Sequence, residues 1–297
     1  MLRKIYNPIV RGHYADPEAR YYQGKYWIYA TQSRPFSEQK KLTAFSSEDL
    51  IKWTKHDNIL DMCDFPWIWG AVWAPTIIER NGLYYLMFSS NDIHSNSEPG
   101  GIEVAVSDSP AGPFKGYLGR PLIGEFINGA QPIDAHLFKD DDGTVYLYFG
   151  GWGHCNIAIM NETMDGFLPF PDGQLMKEIT PPGYMEGPCM IKHNGIYYFL
   201  WSTGSWEGND YGVLYGTSNS PLGPFAAEGR VLESKEALAE SPGHNGYLYH
   251  KEYDQYLIVY HRRDYGSHDI HSRKLCIDVM NLKNGVIDPV LMTGFSL

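Results

Sequence analysis

The sequence predicts an all-β fold, a single-domain five-bladed β-propeller with its active site in the central channel. Three observations support this prediction. A two-strand pattern recurs five times along the chain, and such an internal repeat is typical of propellers. Short turn sequences divide each copy in two. The composition includes 22 Tyr, 8 Trp and 31 Gly, which suits strands and turns better than helices. The best short helix candidate is ESKEALAE, residues 233–240.

Each copy consists of an apolar strand, a short turn and an aromatic-rich strand. The five copies read ARYYQGKYWIYAT, PTIIERNGLYYLMFSS, AHLFKDDDGTVYLYFGG, PCMIKHNGIYYFLWS and GYLYHKEYDQYLIVYHR. Their turn residues are Gly24, Gly82, Gly143, Gly195 and Asp254, which are separated by 58, 61, 52 and 59 residues. Asn-Gly and Asp-Gly pairs between such strands are strong hairpin signals. The pattern therefore predicts five β-hairpins.

Two weaker strands follow each hairpin. Their clearest forms are IEVAVSDSPAGPF and GVLYGTSNSPLGPF, with LTAFSSEDLIKW as a looser copy. Four strands make up one propeller blade, so five copies fill a single domain over residues 1–297 and leave no linker for a second one. The predicted blades are residues 13–60, 73–123, 134–178, 186–232 and 244–297.

Chemically distinctive side chains lie at the head of each inner strand, eight to ten residues before the turn. These positions are Asp16, Trp73, Asp134, Glu186 and His244. The inner strands of a propeller line its channel, so we expect equivalent positions to form a ring around the axis. A carboxylate in an apolar strand is costly to desolvate unless it is paired or functional. Three carboxylates on one ring therefore predict a functional site.

This ring suits glycoside hydrolysis. One carboxylic acid must protonate the leaving oxygen, and a second carboxylate must activate water or attack the sugar. A third acid nearby raises the pKa of the first by like-charge repulsion, which keeps it protonated near neutral pH. Trp73 offers a flat apolar face for a sugar ring, although a core position would explain it equally well.

Charge and composition exclude several other classes of function. The formal net charge of −11 argues against a nucleic acid or an anionic membrane as partner. The four cysteines are far apart and are expected to be free, mostly buried thiols. No apolar run approaches transmembrane length. The opening MLRKIYNPIV lacks the apolar segment of a signal peptide, so we expect a cytoplasmic location.

At these residues the sequence resembles glycoside hydrolase family 43, whose members share a five-bladed propeller. The resemblance is carried by NPIVRGHYADPEARYYQGKYWIYAT, VWAPTIIERNGLYYLMFSS, QPIDAHLFKDDDGTVYLYFGG and YMEGPCMIKHNGIYYFLWS, with GHNGYLY and YLIVYHRR later in the chain. It implies an inverting mechanism in which Asp16 is the general base and Glu186 the general acid. Asp134 would tune the pKa of the acid and help to hold it in place.

The resemblance also implies substrate-binding residues. Arg273 matches an arginine near the sugar, and Arg262 is a second candidate; a structural ion pair would explain either one. His244 matches a histidine near the centre of the channel that helps to hold a hydrated cation, often calcium, in some members. Four tryptophans in Gly-rich segments between strands are candidates for the rim of the pocket, although packing would explain each equally well, and these are Trp67, Trp69, Trp152 and Trp206.

The expected function is release of terminal arabinofuranosyl or xylosyl residues from short plant cell-wall oligosaccharides. No cofactor is required, calcium is a candidate ion, and the oligomeric state stays open. An endo-arabinanase, a galactosidase and a galactofuranosidase are alternatives within the family. A retaining propeller enzyme of the fructan-cleaving type and a non-catalytic sugar-binding propeller are alternatives outside it.

Overall fold

The computed structural model describes residues 5–294 and consists of five antiparallel sheets arranged as the blades of a propeller. Residues 1–4 and 295–297 fall within the predicted domain but lie outside the described residues. Residues 1–4 are also the start of the segment in which no signal peptide is predicted. The described part contains three helices, all short 3₁₀ turns: η1 (Phe36–Glu38), η2 (Met62–Asp64) and η3 (Lys251–Tyr253). None of the helices in this part is long and apolar enough to cross a membrane.

The strands of each blade follow one another along the chain and pair with their sequence neighbours, except that the last strand of the third blade pairs with the third strand of that blade. The first blade contains β1 (Tyr14–Tyr22), β2 (Lys25–Gln32), β3 (Leu42–Ser47) and β4 (Thr54–Asp57), and the second β5 (Val72–Arg80), β6 (Leu83–Ser90), β7 (Gly101–Ser107) and β8 (Lys115–Gly116). The third contains β9 (His136–Lys139), β10 (Val145–Phe149), β11 (Asn156–Met160), β12 (Phe167–Leu168) and β13 (Met176–Glu178). The fourth contains β14 (Glu186–His193), β15 (Ile196–Thr203), β16 (Gly212–Ser218) and β17 (Gly229–Leu232), and the fifth β18 (Ala239–His250), β19 (Gln255–Asp264) and β20 (Lys274–Met280). A small hairpin, β21 (Leu282–Lys283) and β22 (Val286–Ile287), follows.

The five predicted hairpins are confirmed. Each joins the first and second strand of its blade. Asn81 and Gly82 both adopt positive φ angles, 55° and 80°, as a type I′ turn requires. Asp254, the one turn residue that is not glycine, also lies in the left-handed region. The turn residues therefore place the hairpins where the sequence predicts them.

Residues 7–14 complete the fifth blade. Ile9 N–H donates to the Leu275 carbonyl at 3.0 Å, and Tyr14 N–H donates to the Arg273 carbonyl at 2.8 Å. The side chain of Asn7 exchanges hydrogen bonds with both backbone groups of Ile277. The fifth blade therefore differs from its predicted range, because its first strand starts at residue 239 and its outer edge comes from the opposite end of the chain.

The apolar core lies between neighbouring blades rather than in the channel. Each of five clusters combines residues from two adjacent blades, for example Leu200 with Ile258 and Phe88 with Tyr29. This packing leaves the channel lining free to carry polar groups. The cysteines of the described residues are free, and three of the four are buried, as expected.

The short helix candidate at residues 233–240 does not form a helix. The segment makes a turn in which Leu238 N–H donates to the Lys235 carbonyl, and Lys235 pairs with Ala239 across it. Ala237 adopts a left-handed φ of 60°, which an α-helix excludes. Tertiary pairing thus overrides the helix propensity of this short segment.

Candidate active site

Each blade carries a backbone irregularity in its first strand or just before it. One residue per blade adopts a positive φ there, and these residues are Asp16, Ala74, Asp134, Gly187 and His244. The pairing register shifts at this point in the first, second, fourth and fifth blades. Such a bulge re-aims side chains at the end of a strand.

In two blades the residue with the positive φ angle lies one position after the predicted ring residue. Asp16, Asp134 and His244 occupy the left-handed position, whereas Trp73 and Glu186 directly precede it. A constant count of eight residues back from the turn glycine leads to Asp16, Ala74 and Gly187, so the offset arises because the prediction followed distinctive side chains instead of this count. Both kinds of position nevertheless line the same cavity.

A side chain of the preceding blade anchors most of these irregular positions. The N–H of Ala74 donates to Thr31 Oγ1 at 2.9 Å, and that of His244 donates to Ser202 Oγ at 2.9 Å. In the same way, the N–H of Asp134 donates to Ser89 Oγ, and the N–H of Asp16 donates to His261 Nδ1.

The fourth blade departs from this scheme. The position that corresponds to Thr31 in the third blade is Gly150, which has no side chain to offer. Gly187 N–H donates instead to Asp134 Oδ2 at 3.0 Å. Asp134 therefore fixes the backbone directly next to Glu186.

A cavity of about 380 Å³ opens at the channel end where the inner strands begin. Six of the seven predicted site residues line it, all except Arg262. Other lining residues come from loops between strands, and they are Arg34, Phe36, Gln39, Asp92, His94, Gln131, Ile133, Trp152, Trp206 and His271.

Asp16 is surrounded by positive charge and hydrogen-bond donors. Its carboxylate lies 3.2 Å from Arg273 Nη1, and it is almost completely buried. Burial raises the pKa of Asp16, but the Arg273 guanidinium leads several neighbours that outweigh this effect and hold the pKa below its ordinary value. Asp16 is therefore ionised at neutral pH.

Glu186 has the opposite electrostatic environment. Burial raises the pKa of its carboxyl, and the negative charge of Asp16 raises it further. The hydroxyl of Tyr211 donates to Glu186 Oε1 at 2.7 Å and limits the rise, because it stabilises the ionised form.

Asp134 is buried beside Glu186, and the two carboxyls influence each other. Burial raises the pKa of Asp134 well above its ordinary value, and the charges of Glu186 and Asp16 add to the effect. The Gly187 N–H opposes it. Two neighbouring buried carboxyls with raised pKa values tend to retain a proton between them.

His244 lies at the centre of the three acids. Its Nδ1 is 3.5 Å from Asp134 Oδ2 and 3.7 Å from Asp16 Oδ1. Burial lowers the pKa of the imidazole, so the ring is neutral. Ligand atoms of His244, Asp134 and Glu186 lie within 4.8 Å of one another, a spread compatible with one cation. Calcium prefers six to eight oxygen ligands, so water would have to complete its shell.

The two predicted arginines lie in different places. Arg273 lines the cavity, and its guanidinium lies 4.8 Å from the centre of the Trp206 ring. Arg262 is buried away from the cavity, where it donates to the Thr293 carbonyl and the Tyr260 hydroxyl. Neighbouring residues on a strand face opposite sides, so on β19 the channel side belongs to His261 instead. A substrate contact for Arg262 is not supported by its position.

The four candidate rim tryptophans also separate. Trp152 and Trp206 line the cavity. Trp69 is exposed and contacts Phe36, while the Trp67 indole donates to buried Glu103. Neither Trp69 nor Trp67 is among the lining residues of the cavity.

Sequence reasoning missed Tyr211 and His261, which directly contact the acids. Tyr211 is buried and its ring stacks on His261 with an interplanar angle of 11°. Burial lowers the pKa of His261 well below its ordinary value, so this ring is neutral and accepts the Asp16 N–H. The tetrapeptide YHRR contained the signal for His261, but Tyr211 has no recognisable motif.

The cavity thus presents one ionised carboxylate and two carboxyls of raised pKa to the same space, and acid–base glycoside hydrolysis needs one group of each kind. Residues 5–287 match the sequence profile of Glycosyl hydrolases family 43. The chain belongs to this family. The predicted family and its five-bladed propeller are confirmed, and the protein is a glycoside hydrolase.

Three similar proteins span most of this family 43 enzyme. A β-D-galactofuranosidase of Aspergillus niger is 41% identical over 302 residues, which cover 98% of this chain and 86% of the relative. The structure of an α-L-arabinofuranosidase from Clostridium thermocellum is 29% identical with a TM-score of 0.76, covering 95% of this chain and 94% of the other. A family 43 β-xylosidase/α-arabinofuranosidase from a compost microbial metagenome, in a calcium-free complex with xylotriose, is 26% identical with a TM-score of 0.78, covering 96% and 97%.

Proposed function

We propose that this family 43 enzyme removes single terminal arabinofuranosyl or xylosyl residues from oligosaccharides with inversion at the anomeric carbon. Asp16 serves as the general base, Glu186 as the general acid, and Asp134 as the residue that tunes and positions the acid. The observation that carries the proposal is the opposite shift of two pKa values in one cavity, lowered at Asp16 and raised at Glu186.

In this mechanism Asp16 accepts a proton from a water molecule, whose oxygen attacks the anomeric carbon. Glu186 gives its proton to the glycosidic oxygen as the bond to the leaving sugar breaks. Both carboxyls then exchange protons with solvent to restore the starting state. Inversion requires about 6.5–9.5 Å between base and acid, so that the water fits between them.

The size of the cavity supports action at chain ends. Its volume of about 380 Å³ lies near the lower end of the range of small-molecule sites, about 300–1,000 Å³. Such a space suits one sugar and part of its neighbour better than a long polymer segment.

A terminal galactofuranosyl residue is the second candidate substrate. The specific observation in its favour is the 41% identity to a β-D-galactofuranosidase. An α-L-arabinofuranosyl ring and a β-D-galactofuranosyl ring share the same ring configuration and differ in the exocyclic carbon chain. One cavity can therefore accept both where it leaves room for the longer chain.

A substrate panel tests the proposal. The purified enzyme is assayed on aryl arabinofuranoside, xyloside, galactofuranoside and galactoside, and on linear arabinan, with Glu186→Gln as the matched control. We expect release of a terminal pentose and, by NMR, an inverted first-formed anomer. A retained anomer would overturn the roles of Asp16 and Glu186, and internal cleavage of arabinan as the main activity would overturn the exo assignment.

The reaction itself needs no cofactor, and we propose that His244 and Asp134 help to hold a hydrated calcium ion. Their ligand atoms are close enough for one ion. Direct ligation of calcium by Glu186 would lower the pKa of its carboxyl and remove the proton that it donates. The test removes the ion with a chelator and then adds calcium back. The added calcium should raise both the melting temperature and the activity of the wild type, but neither of them in His244→Ala. A wild type that does not respond to calcium would contradict this proposal.

A further inference from the structure

We propose that Arg263 is a positioning residue for the reaction. Its buried guanidinium holds the loop of residues 204–210, so that Trp206 on this loop covers Arg273 next to the general base. This inference rests on the proposed function, because it takes Asp16 as that base. Arg263 is not among the lining residues of the cavity, and it acts on the reaction only through other side chains.

Packing does not explain the environment of Arg263. This residue is 2% exposed, yet its hydrogen-bond acceptors in the described part of the chain are all neutral oxygens. These are the Glu207 carbonyl at 3.2 Å, the Gly208 carbonyl at 3.1 Å and the Asn209 side-chain oxygen at 3.4 Å. Its Nε is buried and has no hydrogen-bond partner among the described residues. A buried cation without a carboxylate costs free energy that an apolar side chain of similar volume would not, so the guanidinium is better explained by the loop that it holds.

Residues of the fifth blade hold this loop in place. The loop joins β15 to β16 of the fourth blade, and most of its residues are exposed. Arg263 lies on β19, and Ser241 on β18 adds a second contact. Ser241 Oγ lies 2.9 Å from the Trp206 carbonyl oxygen and 2.8 Å from the Gly208 carbonyl oxygen. The two fifth-blade residues therefore fix the loop backbone at Trp206 and directly after it.

Trp206 connects the loop to the base. The Arg273 guanidinium lies 4.8 Å from the centre of the Trp206 ring, and a cation over an aromatic face is attracted to it. The nitrogen atoms of the same guanidinium donate to Ser33 Oγ at 2.9 Å and to Asp16 Oδ1 at 3.2 Å. Trp206 thus restrains the arginine that contacts Asp16. Loss of the loop contacts is therefore expected to reach Asp16 through two side chains.

Arg262 is the matched control. It is the preceding residue on β19, it is also buried, and it faces the opposite side of the strand. Its guanidinium donates to the Thr293 carbonyl and the Tyr260 hydroxyl, neither of which belongs to the loop or lines the cavity. Substitution of either arginine by lysine keeps the charge but loses the forked set of donors. The two variants therefore differ in which contacts are lost.

Hydrogen exchange tests the contact with the loop without reference to activity. The Ser205 and Gly208 amides are hydrogen-bonded within the loop, so their exchange reports its opening. In Arg263→Lys we expect exchange in residues 204–210 to become about tenfold faster, with a change of less than about twofold in Arg262→Lys. Ser241→Ala should also accelerate exchange, and it disturbs no buried charge, so it tests the same loop if Arg263→Lys folds poorly. Unchanged exchange in Arg263→Lys and Ser241→Ala would overturn the positioning role.

A double-mutant cycle tests the path through Trp206. Arg263→Lys and Trp206→Leu should each lower kcat/KM about tenfold, and the double variant should show about the same loss, because both changes remove one cover. Trp206→Phe keeps an aromatic face for Arg273 and should recover most of the loss. Arg262→Lys should leave kcat/KM within about twofold of wild type. Since Asp16 acts on every substrate, the losses should be equal on a dinitrophenyl glycoside and on an oligosaccharide with the same terminal sugar.

Three results would overturn the positioning role while leaving the proposed function intact. In the first, the two losses multiply in the double variant to about 100-fold. In the second, Trp206→Phe is as slow as Trp206→Leu. In the third, the loss is confined to the oligosaccharide, which would place the effect at the leaving group. A wild type that cleaves no arabinofuranosyl, xylosyl or galactofuranosyl substrate would overturn both.

Discussion

Asp16 and Glu186 are both buried carboxyls, and their pKa values move in opposite directions because their neighbours differ. An arginine contacts Asp16 at 3.2 Å, whereas Glu186 has other carboxyls nearby and one neutral donor, the Tyr211 hydroxyl. Burial alone would raise both pKa values. The Arg273 guanidinium leads the groups that lower the pKa of Asp16, whereas at Glu186 its influence is outweighed by burial and by nearby negative charge.

Glu186→Gln should slow the enzyme in a way that depends on the leaving group. Loss of a general acid lowers kcat by about 10²–10⁴-fold on substrates with a sugar leaving group. A dinitrophenyl glycoside needs little protonation, so it should be affected much less. The measurement is kcat on both substrates, with Asp16→Asn as the comparison, which should impair both alike. An equal loss on the two substrates in Glu186→Gln would remove the acid role.

Tyr211→Phe should shift the alkaline limb of the pH profile upwards. The hydroxyl stabilises the ionised form of Glu186, so its removal raises the pKa of the acid. The protonated, active form then persists to higher pH. The measurement is kcat/KM against pH, which reports groups of the free enzyme.

Tyr184→Phe is the control for this substitution. Tyr184 is also buried, but its hydroxyl donates to the Gly150 carbonyl rather than to a carboxyl, so the alkaline limb should stay in place. A downward shift in Tyr211→Phe, or the same shift in both variants, would contradict the assignment.

At the scale of residues, the sequence predicted the acids better than their partners. Asp16, Asp134 and Glu186 are recognisable because a charge interrupts an apolar strand in a repeated register. Tyr211 and Arg262 show the limit of this reasoning. A tyrosine does not stand out in a chain this rich in tyrosine, and the residue type of an arginine does not show which side of its strand it faces. Contacts between blades depend on the closed ring, which no local pattern records.

At the scale of elements, turns were predictable and bulges were not. Glycine with asparagine or aspartate at a hairpin is a local requirement of backbone conformation, so the five hairpins follow from the sequence. A bulge adds one residue without a composition of its own, and non-glycine residues occupy most of the left-handed positions at the strand heads. The one-residue offset at Trp73 and Glu186 arose because the prediction followed distinctive side chains and not a constant distance from the turn.

Gly150→Ala should destabilise the third blade strongly. Its φ is 138°, and an added Cβ would lie 2.2 Å from the His154 carbonyl oxygen. Strain and overpacking together predict a loss of about 3 kcal/mol or more in the free energy of unfolding. Gly143→Ala has a positive φ but no atom within 4 Å of the added Cβ, and should cost about 1 kcal/mol. Urea denaturation measures both, and equal losses would show that the close approach at Gly150 is unimportant.

At the scale of the whole molecule, closure of the ring couples the two ends of the chain. The core clusters bridge adjacent blades, including one that joins the first blade to the fifth. The first blade is thereby held from both sides, and the channel is enclosed without covalent closure. The sequence predicted five copies but not which segment supplies the outer edge of the last one, because residues 7–14 lack the repeated pattern.

Asn7 should be the critical residue of this closure. Its buried amide donates to the Ile277 carbonyl, Asp278 and Thr293, and accepts the Ile277 N–H at 2.8 Å. Asn7→Ala removes the partner of both Ile277 backbone groups, at about 1–3 kcal/mol each, while Asp278 keeps its bonds from Tyr260 and Thr293. We therefore expect the free energy of unfolding to fall by about 3 kcal/mol. The folded fraction should retain its kcat, since Asn7 does not line the cavity. Exposed Asn209→Ala should change stability by less than about 0.5 kcal/mol. Thermal and urea unfolding measure both variants, and a similarly small effect of Asn7→Ala would show that the propeller closes through its core clusters alone.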